Sequence, residues 1–166
     1  MADTQTISIV LTGIGIIGAI VYYTLTLRNA NRTRKTQLFM QIFQELNSKE
    51  SWDIWVELMN AEVTDYEDFM RRYDSSVNPD SLSKRNHIWY GYHCIGLLLK
   101  DGVITIDLVN DLVGLTAMLQ WRKWRGIIEE IRANQGFPKY FSGFEYLYNE
   151  LERYHEEHPE KATINP

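Results

Sequence analysis

The chain has 166 residues, enough for one packed domain and an additional segment. Apolar residues make up 45% of it, with ten tyrosines and five tryptophans, a composition that excludes an intrinsically disordered chain. The single cysteine, Cys94, excludes an internal disulfide framework, and a net charge of −5 argues against general nucleic-acid binding.

Charge is distributed in three zones along the chain. Residues 1–27 carry one charged residue, Asp3. The next eight positions contain four basic residues and no acid: Arg28, Arg32, Arg34 and Lys35. After residue 35, 13 basic residues are outnumbered by 21 acidic ones, a net charge of −8. The sequence therefore divides into an uncharged, a basic and an acidic zone.

Residues 6–27 form an uncharged segment of 22 residues that has two interpretations. Gly13, Gly15 and Gly18 match the pattern G-x-G-x-x-G, which in a dinucleotide-binding fold joins a strand to a helix at the phosphates. That fold needs further buried strands, whereas everything after residue 36 has helical periodicity. As a helix, the segment spans about 33 Å, which matches a hydrocarbon core of about 30 Å. We therefore predict a transmembrane helix.

The flanks of this helix predict how it is placed in the membrane. A secretory signal peptide would have a basic start and a small-residue cleavage site, which the sequence lacks. The basic segment at residues 28–35 directly follows the helix, so the positive-inside rule predicts a single-pass cell-membrane protein with residues 1–5 outside and the rest cytoplasmic. Gly15 and Ala19 lie four residues apart and predict a helix-packing site, although small residues are also simply common in membrane helices.

Beyond residue 35, apolar residues at three- and four-residue spacing predict an all-α cytoplasmic domain of five to six helices at residues 36–158. The membrane helix continues to about residue 45. The apolar face of the second helix consists of Trp52, Trp55, Val56 and Met59. The third helix, with Thr64 as its N-cap, has an apolar face of Tyr66, Phe69, Met70 and Tyr73. The apolar face of the fourth consists of Ile88, Trp89, Tyr92, Ile95 and Leu99. A fifth helix, opened by Thr105, has a leucine stripe: Leu108, Leu112, Leu115 and Leu119. A sixth covers about residues 142–157, and residues 159–166 form a mobile tail.

The order of these landmarks resembles a family of uncharacterised small membrane proteins of bacteria and archaea. The matching features are the basic run at residues 32–35 leading into Leu38–Leu46, the segment GVITID at residues 102–107, and Trp121, Arg132 and the pair Phe144 and Glu145. The resemblance implies an N-terminal membrane helix followed by an α-helical cytoplasmic domain. It implies no activity and no catalytic residues.

Two groups of residues could carry chemistry, and we expect neither to do so. His155 and His158 are three residues apart and followed by Pro159, whereas zinc proteases need two histidines at i and i+4. His87, His93 and Cys94 lie on one helix, but His93 and Cys94, being adjacent, face different sides of it. We therefore predict no catalytic, cofactor-binding or metal-binding residues.

Residues 121–125, WRKWR, are the most distinctive cytoplasmic feature. One interpretation makes Trp121 and Trp124 core residues below a basic outer stripe. Another has Trp121, Arg122, Lys123 and Arg125 contact anionic headgroups or an acidic partner surface, and nucleic-acid stacking is a third.

The sequence thus predicts a membrane-anchored, non-enzymatic interaction module, an accessory or scaffold subunit of a homo-oligomer or a larger membrane complex, without nucleic acid. A regulatory or signalling module is the alternative, and an enzyme with an unrecognised site is a third possibility.

Overall fold

The structure, a computed structural model, describes residues 3–162; the side chains of residues 4–8, 10, 32 and 35 lie outside what it describes. No strand occurs within the described range, which confirms the predicted all-α class. The helices are α1 (Thr4–Leu46), α2 (Lys49–Asn60), α3 (Tyr66–Tyr73), α4 (Pro79–Lys100), α5 (Ile106–Val109), a π-helical segment (Asn110–Gly114), α6 (Leu115–Gln135), α7 (Ser142–Glu157) and a 3-10 turn (Pro159–Lys161).

The chain forms two compact units, Met1–Gln37 and Leu38–Pro166. The first consists of the larger part of α1. Its segment from Leu11 onward is, by length and composition, long and apolar enough to cross a membrane, and none of its most apolar stretch is buried. The predicted boundaries at residues 27, 35 and 158 stay predictions, and residues 1–2 and 163–166 of the two predicted tails lie outside the described residues.

The second unit is held together by the packing of α4 against α7. Gly96 of α4 and Gly143 of α7 bring the two backbones so close that a Cβ added to Gly96 would lie 1.8 Å from the Gly143 carbonyl oxygen. Around this contact lies an aromatic core, whose largest fully buried members include Trp89, Trp121, Trp124, Phe141 and Phe144. Aromatic side chains of this size supply much of the apolar area that a domain of this length buries.

Helix ends follow local chemistry, with one correction. Thr105 accepts a hydrogen bond from the Leu108 backbone N–H, as predicted. Ser48 accepts one from the Ser51 backbone N–H, and Gly136 ends α6 in the left-handed conformation. The predicted N-cap of α3, Thr64, is wrong. The cap is Asp65, whose Oδ1 accepts from the Asp68 backbone N–H at 2.8 Å, while the Thr64 hydroxyl donates to Asp65.

The inward face of α2 matches the predicted one only in part, since Trp55 packs against the core as expected. Trp52 is 41% exposed and Val56 is also exposed, whereas Ser51 and Leu58 are buried. Ser51 Oγ donates to the Glu45 carbonyl oxygen at 2.6 Å and lies 2.7 Å from His87 Nε2, so a polar side chain satisfied by two neighbouring helices occupies the core side.

The leucine stripe predicted for the fifth helix is also not the core face. Leu112 and Leu115 are 37% and 43% exposed. The buried side chains are instead those of Val109, Asn110, Val113, Ala117 and Gln120. A π-helical segment, in which one extra residue is accommodated in a turn, interrupts the helix at this point and changes which residues face inward.

Candidate functional site

The predicted helix-packing residues lie on the uncovered surface of α1. Ala19 is exposed, and a Cβ added to Gly15 would meet no atom within 4 Å. Two of the basic residues that follow, Arg28 and Arg34, are exposed on the same helix, and the side chains of Arg32 and Lys35 lie outside the described residues. The roles predicted for these six residues in helix packing and topology stay predictions.

The tryptophans of residues 121–125 both lie in the core. Trp121 is 2% exposed and packs edge-on against Phe144, with ring centroids 5.0 Å apart. Trp124 is equally buried and packs against Trp89, with centroids 5.5 Å apart. This burial agrees with the interpretation of the two residues as core tryptophans below a basic stripe. A contact with headgroups or a partner is left to the three cations between and after them.

Those three cations are exposed and interact with three different neighbours. Arg122 Nε donates to Tyr148 Oη on α7 at 3.2 Å, and this hydrogen bond raises the pKa of the guanidinium. Lys123 Nζ donates to the backbone carbonyl of Met59 at the end of α2. Arg125 pairs with Glu129 on its own helix, 3.6 Å apart. The cations therefore do not converge on one point, and their contact with a partner stays a prediction.

The histidines at the end of α7 have separate protein partners. His155 Nε2 lies 2.7 Å from Asn110 Oδ1 of the π-helical segment, and His158 Nδ1 lies 3.7 Å from Glu160. Burial lowers the pKa of His155. Within residues 3–162, no group of three His, Cys, Asp or Glu side chains is arranged to hold a metal ion.

The residues of α4 that could carry chemistry also point to different neighbours. His93 Nδ1 accepts from the Gly143 backbone N–H at 3.0 Å, at the start of α7, and burial lowers the pKa of this imidazole. Burial raises the pKa of the Cys94 thiol, which disfavours the reactive thiolate. His87 contacts Ser51 on α2. Each histidine therefore fixes a junction between helices in this arrangement.

A groove of about 920 Å³ lies between the α2–α3 connection and α6. Residues 61–65 form one side of it, and Lys123, Gly126 and Glu130 of α6 contribute to the other. Trp124 and Ile127, both largely buried, also line it. We refer to this feature as the α6 groove.

The connection that borders the α6 groove has extended backbone at both of its ends. Ala61 has φ −63° and ψ 123°, and Asp65 has φ −159° and ψ −179°. Exposure alternates along it: Ala61 and Val63 are half-buried, and Glu62 and Thr64 are exposed. Within the described part of the chain, Ala61, Glu62 and Val63 form no backbone hydrogen bond outside helices. A segment with this alternation resembles the edge of a sheet without a neighbouring strand.

Acidic side chains predominate around the α6 groove. Glu62, Asp65 and Glu130 line it and are exposed, against one cation, Lys123. That lysine already donates to the Met59 carbonyl and lies over the Trp124 ring at 5.8 Å. The net charge of the lining side chains is therefore negative, and its one cation is partly engaged.

Most of the chain matches the sequence profile of a known protein family. Residues 9–151 match the sequence profile of a family described as a domain of unknown function, DUF4760. The chain belongs to the DUF4760 family. No curated protein and no solved structure matches the chain.

The range that matches DUF4760 includes parts of both units. It begins within α1 and ends within α7, so it contains most of the apolar helix and every residue that lines the α6 groove. His155 and His158 lie outside the matched range. The family assignment agrees with the expected resemblance to an uncharacterised family.

A further cavity of the DUF4760 domain, of about 300 Å³, lies at the end of α2. Ser81 and Tyr73 line it, and both bind Arg85, which is 4% exposed: Nη1 donates to Tyr73 O at 2.8 Å and to Ser81 Oγ at 2.6 Å. The guanidinium carbon also lies 4.7 Å from the centre of the Phe69 ring. Burial lowers the pKa of Arg85. Hydrogen bonds and ring contacts thus offset part of the desolvation cost of this cation.

The sequence analysis identified neither Arg85 nor the connection at residues 61–65, although each has a recognisable pattern in the sequence. Arg85 precedes Ile88 by three residues and Trp89 by four, so it lies on the same face as the apolar stripe of α4. Residues 61–64, AEVT, alternate small or apolar with polar side chains, the period of an extended chain.

Proposed function

We propose that this DUF4760 protein is a single-pass, membrane-anchored and non-enzymatic interaction module of a prokaryotic cell, an accessory or scaffold subunit of a homo-oligomer or a larger membrane complex. The observation that carries the proposal is the exposure of α1. Its large apolar side chains from Ile9 to Leu27 are mostly more than half exposed, and no charged residue lies among them. A soluble protein would bury an apolar surface of this size.

Two properties support an anchor rather than another kind of apolar helix. The core helix of a soluble protein would be mostly buried, whereas none of the most apolar stretch of α1 is. An N-terminal signal sequence can also be long and apolar, but it would be cleaved after the apolar segment. Here α1 continues without interruption to Leu46, whose side chain is half-buried against the core of the second unit.

Orientation and partners follow from charge and from small residues. Arg28, Arg32, Arg34 and Lys35 favour a cytoplasmic location for the residues that follow the span, with the N-terminus outside. Gly15 and Ala19 leave room for a second helix. The expected partners are the bilayer, a second copy or other membrane subunits, without nucleic acid.

Labelling of single cysteines tests the anchor and its orientation. In a Cys94→Ser background, Asp3→Cys and Ala162→Cys each place one thiol at an opposite end of the chain. With a membrane-impermeant maleimide on intact cells, we expect labelling of Asp3→Cys alone and labelling of Ala162→Cys only after permeabilisation. The intact mass measured on purified membranes distinguishes an anchor from a cleaved signal sequence. A soluble, shortened product, or the reverse labelling pattern, would refute the proposal.

A Gly15→Leu and Ala19→Leu double variant tests association through the helix. Crosslinking in native membranes should give the wild-type chain a crosslinked species that the variant forms less efficiently. Gly13→Leu, which changes a small residue off this pair, is the matched control. Equal crosslinking of all three chains would remove the packing role of Gly15 and Ala19.

A further inference from the structure

We propose that the α6 groove binds an extended peptide segment that carries a basic side chain and belongs to a protein partner. The proposal rests on the proposed function, since an interaction module requires a partner surface, and it specifies the chemistry of that partner. Three observations carry it: the backbone of residues 61–65, the shape of the groove and its charge.

The backbone of the connection has hydrogen-bonding groups that could pair with an added peptide strand. Ala61 and Val63 face the domain, and Glu62 and Thr64 face away from it, the alternation of an edge strand. Within the described residues, the backbone N–H and C=O groups of Ala61, Glu62 and Val63 have no backbone partner outside helices. An extended peptide laid alongside would supply those partners, as in recognition by β-strand addition.

The size of the groove allows a chain to enter. Its volume of about 920 Å³ lies between the connection and α6 and is open to solvent. Gly126 contributes no side chain, and a Cβ at this position would meet nothing within 4 Å, so α6 leaves space there. The half-buried side chains of Val63 and Tyr66 offer an apolar surface for one peptide side chain.

The charge of the groove selects a basic segment. Glu62 and Glu130 lie on its two sides and Asp65 at one end of the connection, and all three are exposed. Asp65 Oδ1 caps α3, and Glu130 Oε2 accepts from Asn134 Nδ2 at 3.1 Å, but an exposed carboxylate keeps further lone pairs for a bound cation. The same charges disfavour an anionic membrane surface or an acidic peptide, because like charges across an interface are repulsive.

Peptide binding to the full-length protein in detergent micelles tests this proposal. The probes are two pools of fluorescently labelled ten-residue peptides, random except for a fixed central Arg in one and Glu in the other, and the measurement is fluorescence anisotropy. We expect the arginine pool to bind at least about tenfold more tightly than the glutamate pool. Equal binding of the two pools, or none, would overturn the proposal.

Three variants separate the groove from the rest of the surface. Gly126→Leu fills the groove on an exposed helix position, and Glu62→Lys reverses a charge beside it; each should weaken binding of the arginine pool at least about tenfold. Glu157→Lys, which changes another exposed acid, at the end of α7, is the matched control and should bind as the wild type does. Unchanged binding by Gly126→Leu, with native tryptophan fluorescence, would place the peptide elsewhere.

Backbone pairing has its own readout. A single peptide selected from the arginine pool is N-methylated at every second residue, in one register and then in the other. One register should abolish binding and the other should retain it, since only alternate N–H groups of a peptide face a neighbouring strand. Equal effects of both registers would contradict binding by strand addition.

These outcomes are independent of the membrane anchor. If the peptide pools fail while cysteine labelling shows an anchored chain, the groove proposal falls and the proposed function stands. If labelling shows a soluble or cleaved product while the arginine pool binds selectively, the anchor falls and the groove remains a peptide site.

Discussion

Gly96→Ala tests whether the contact between α4 and α7 holds the second unit together. The new Cβ would lie 1.8 Å from the Gly143 carbonyl oxygen and 2.7 Å from its carbonyl carbon. Ordinary contact begins at 3.4 Å, so the two backbones must separate by about 1.6 Å at this point. Because the opposing atoms belong to the backbone, no side-chain rotation can relieve the overlap.

The expected change in the free energy of unfolding is the balance of two opposing effects. Overpacking of a core costs up to about 3 kcal/mol, and replacing a helical glycine by alanine returns about 1 kcal/mol. We therefore expect Gly96→Ala to lower the free energy of unfolding by about 2 kcal/mol, which lowers the Tm by roughly 8 °C for a unit of this size.

Urea and thermal unfolding followed by tryptophan fluorescence measure this effect in the full chain. All five tryptophans lie between residues 52 and 124, so the signal reports on the second unit and not on the apolar helix. Gly126→Ala is the matched control, because its Cβ meets nothing within 4 Å, and it should raise stability by about 1 kcal/mol. A Gly96→Ala protein as stable as Gly126→Ala would refute the close packing of α4 and α7.

Three further changes test junctions between helices. Burial holds the pKa of His93 below its ordinary 6.5, so the unfolded chain takes up the proton first as the pH falls. The contribution of neutral His93 to the free energy of unfolding should therefore be fully present above pH 6.5 and be lost as the pH drops through the lowered pKa. His93→Gln should flatten this fall in urea titrations at several pH values. Ser51→Ala should cost about 1 kcal/mol of unfolding free energy, because it removes part-buried hydrogen bonds that join α2 to α1 and α4. Arg85→Lys should cost about 1–3 kcal/mol by the same assay, since an ammonium group is more strongly hydrated and lacks the flat guanidinium face that stacks on Phe69.

Two of these have controls on the surface. Ser83→Ala and Lys100→Arg change exposed positions of α4 and should alter stability by less than about 0.5 kcal/mol. If the buried and exposed members of a pair behaved alike, the hydrogen bonds assigned to the buried residue would not contribute to folding.

The sequence predicted the helical class and many of the helix ends because both depend on neighbouring residues. Residues 142–157 were expected to be a helix, and α7 is Ser142–Glu157. Gly136 marked the end of α6 because it adopts a left-handed conformation that other residues avoid. Asp65 rather than Thr64 caps α3, a difference of one residue that depends on which side chain reaches the free N–H.

The inward faces of α2 and of the fifth predicted helix could not be inferred in the same way. Apolar residues occupy more than half of the circumference of α2, so periodicity alone allows several orientations. Ser51 settles the orientation through bonds to Glu45 and His87, the latter 36 positions away in the chain. Likewise, Asn110 of the π-helical segment contacts His155 and the carbonyl of Lys161, 45 and 51 positions away.

By itself, the sequence determined a long uncharged helix, a basic segment after it, an acidic all-α domain and the ends of most helices, since composition and local hydrogen bonding decide these features. The tertiary structure alone decided that Trp121 and Trp124 are core residues, that Arg85 is buried among aromatic rings and that residues 61–65 border a groove. Each of these depends on side chains brought together from distant parts of the chain, and the energy of burial is defined only once those neighbours are in place.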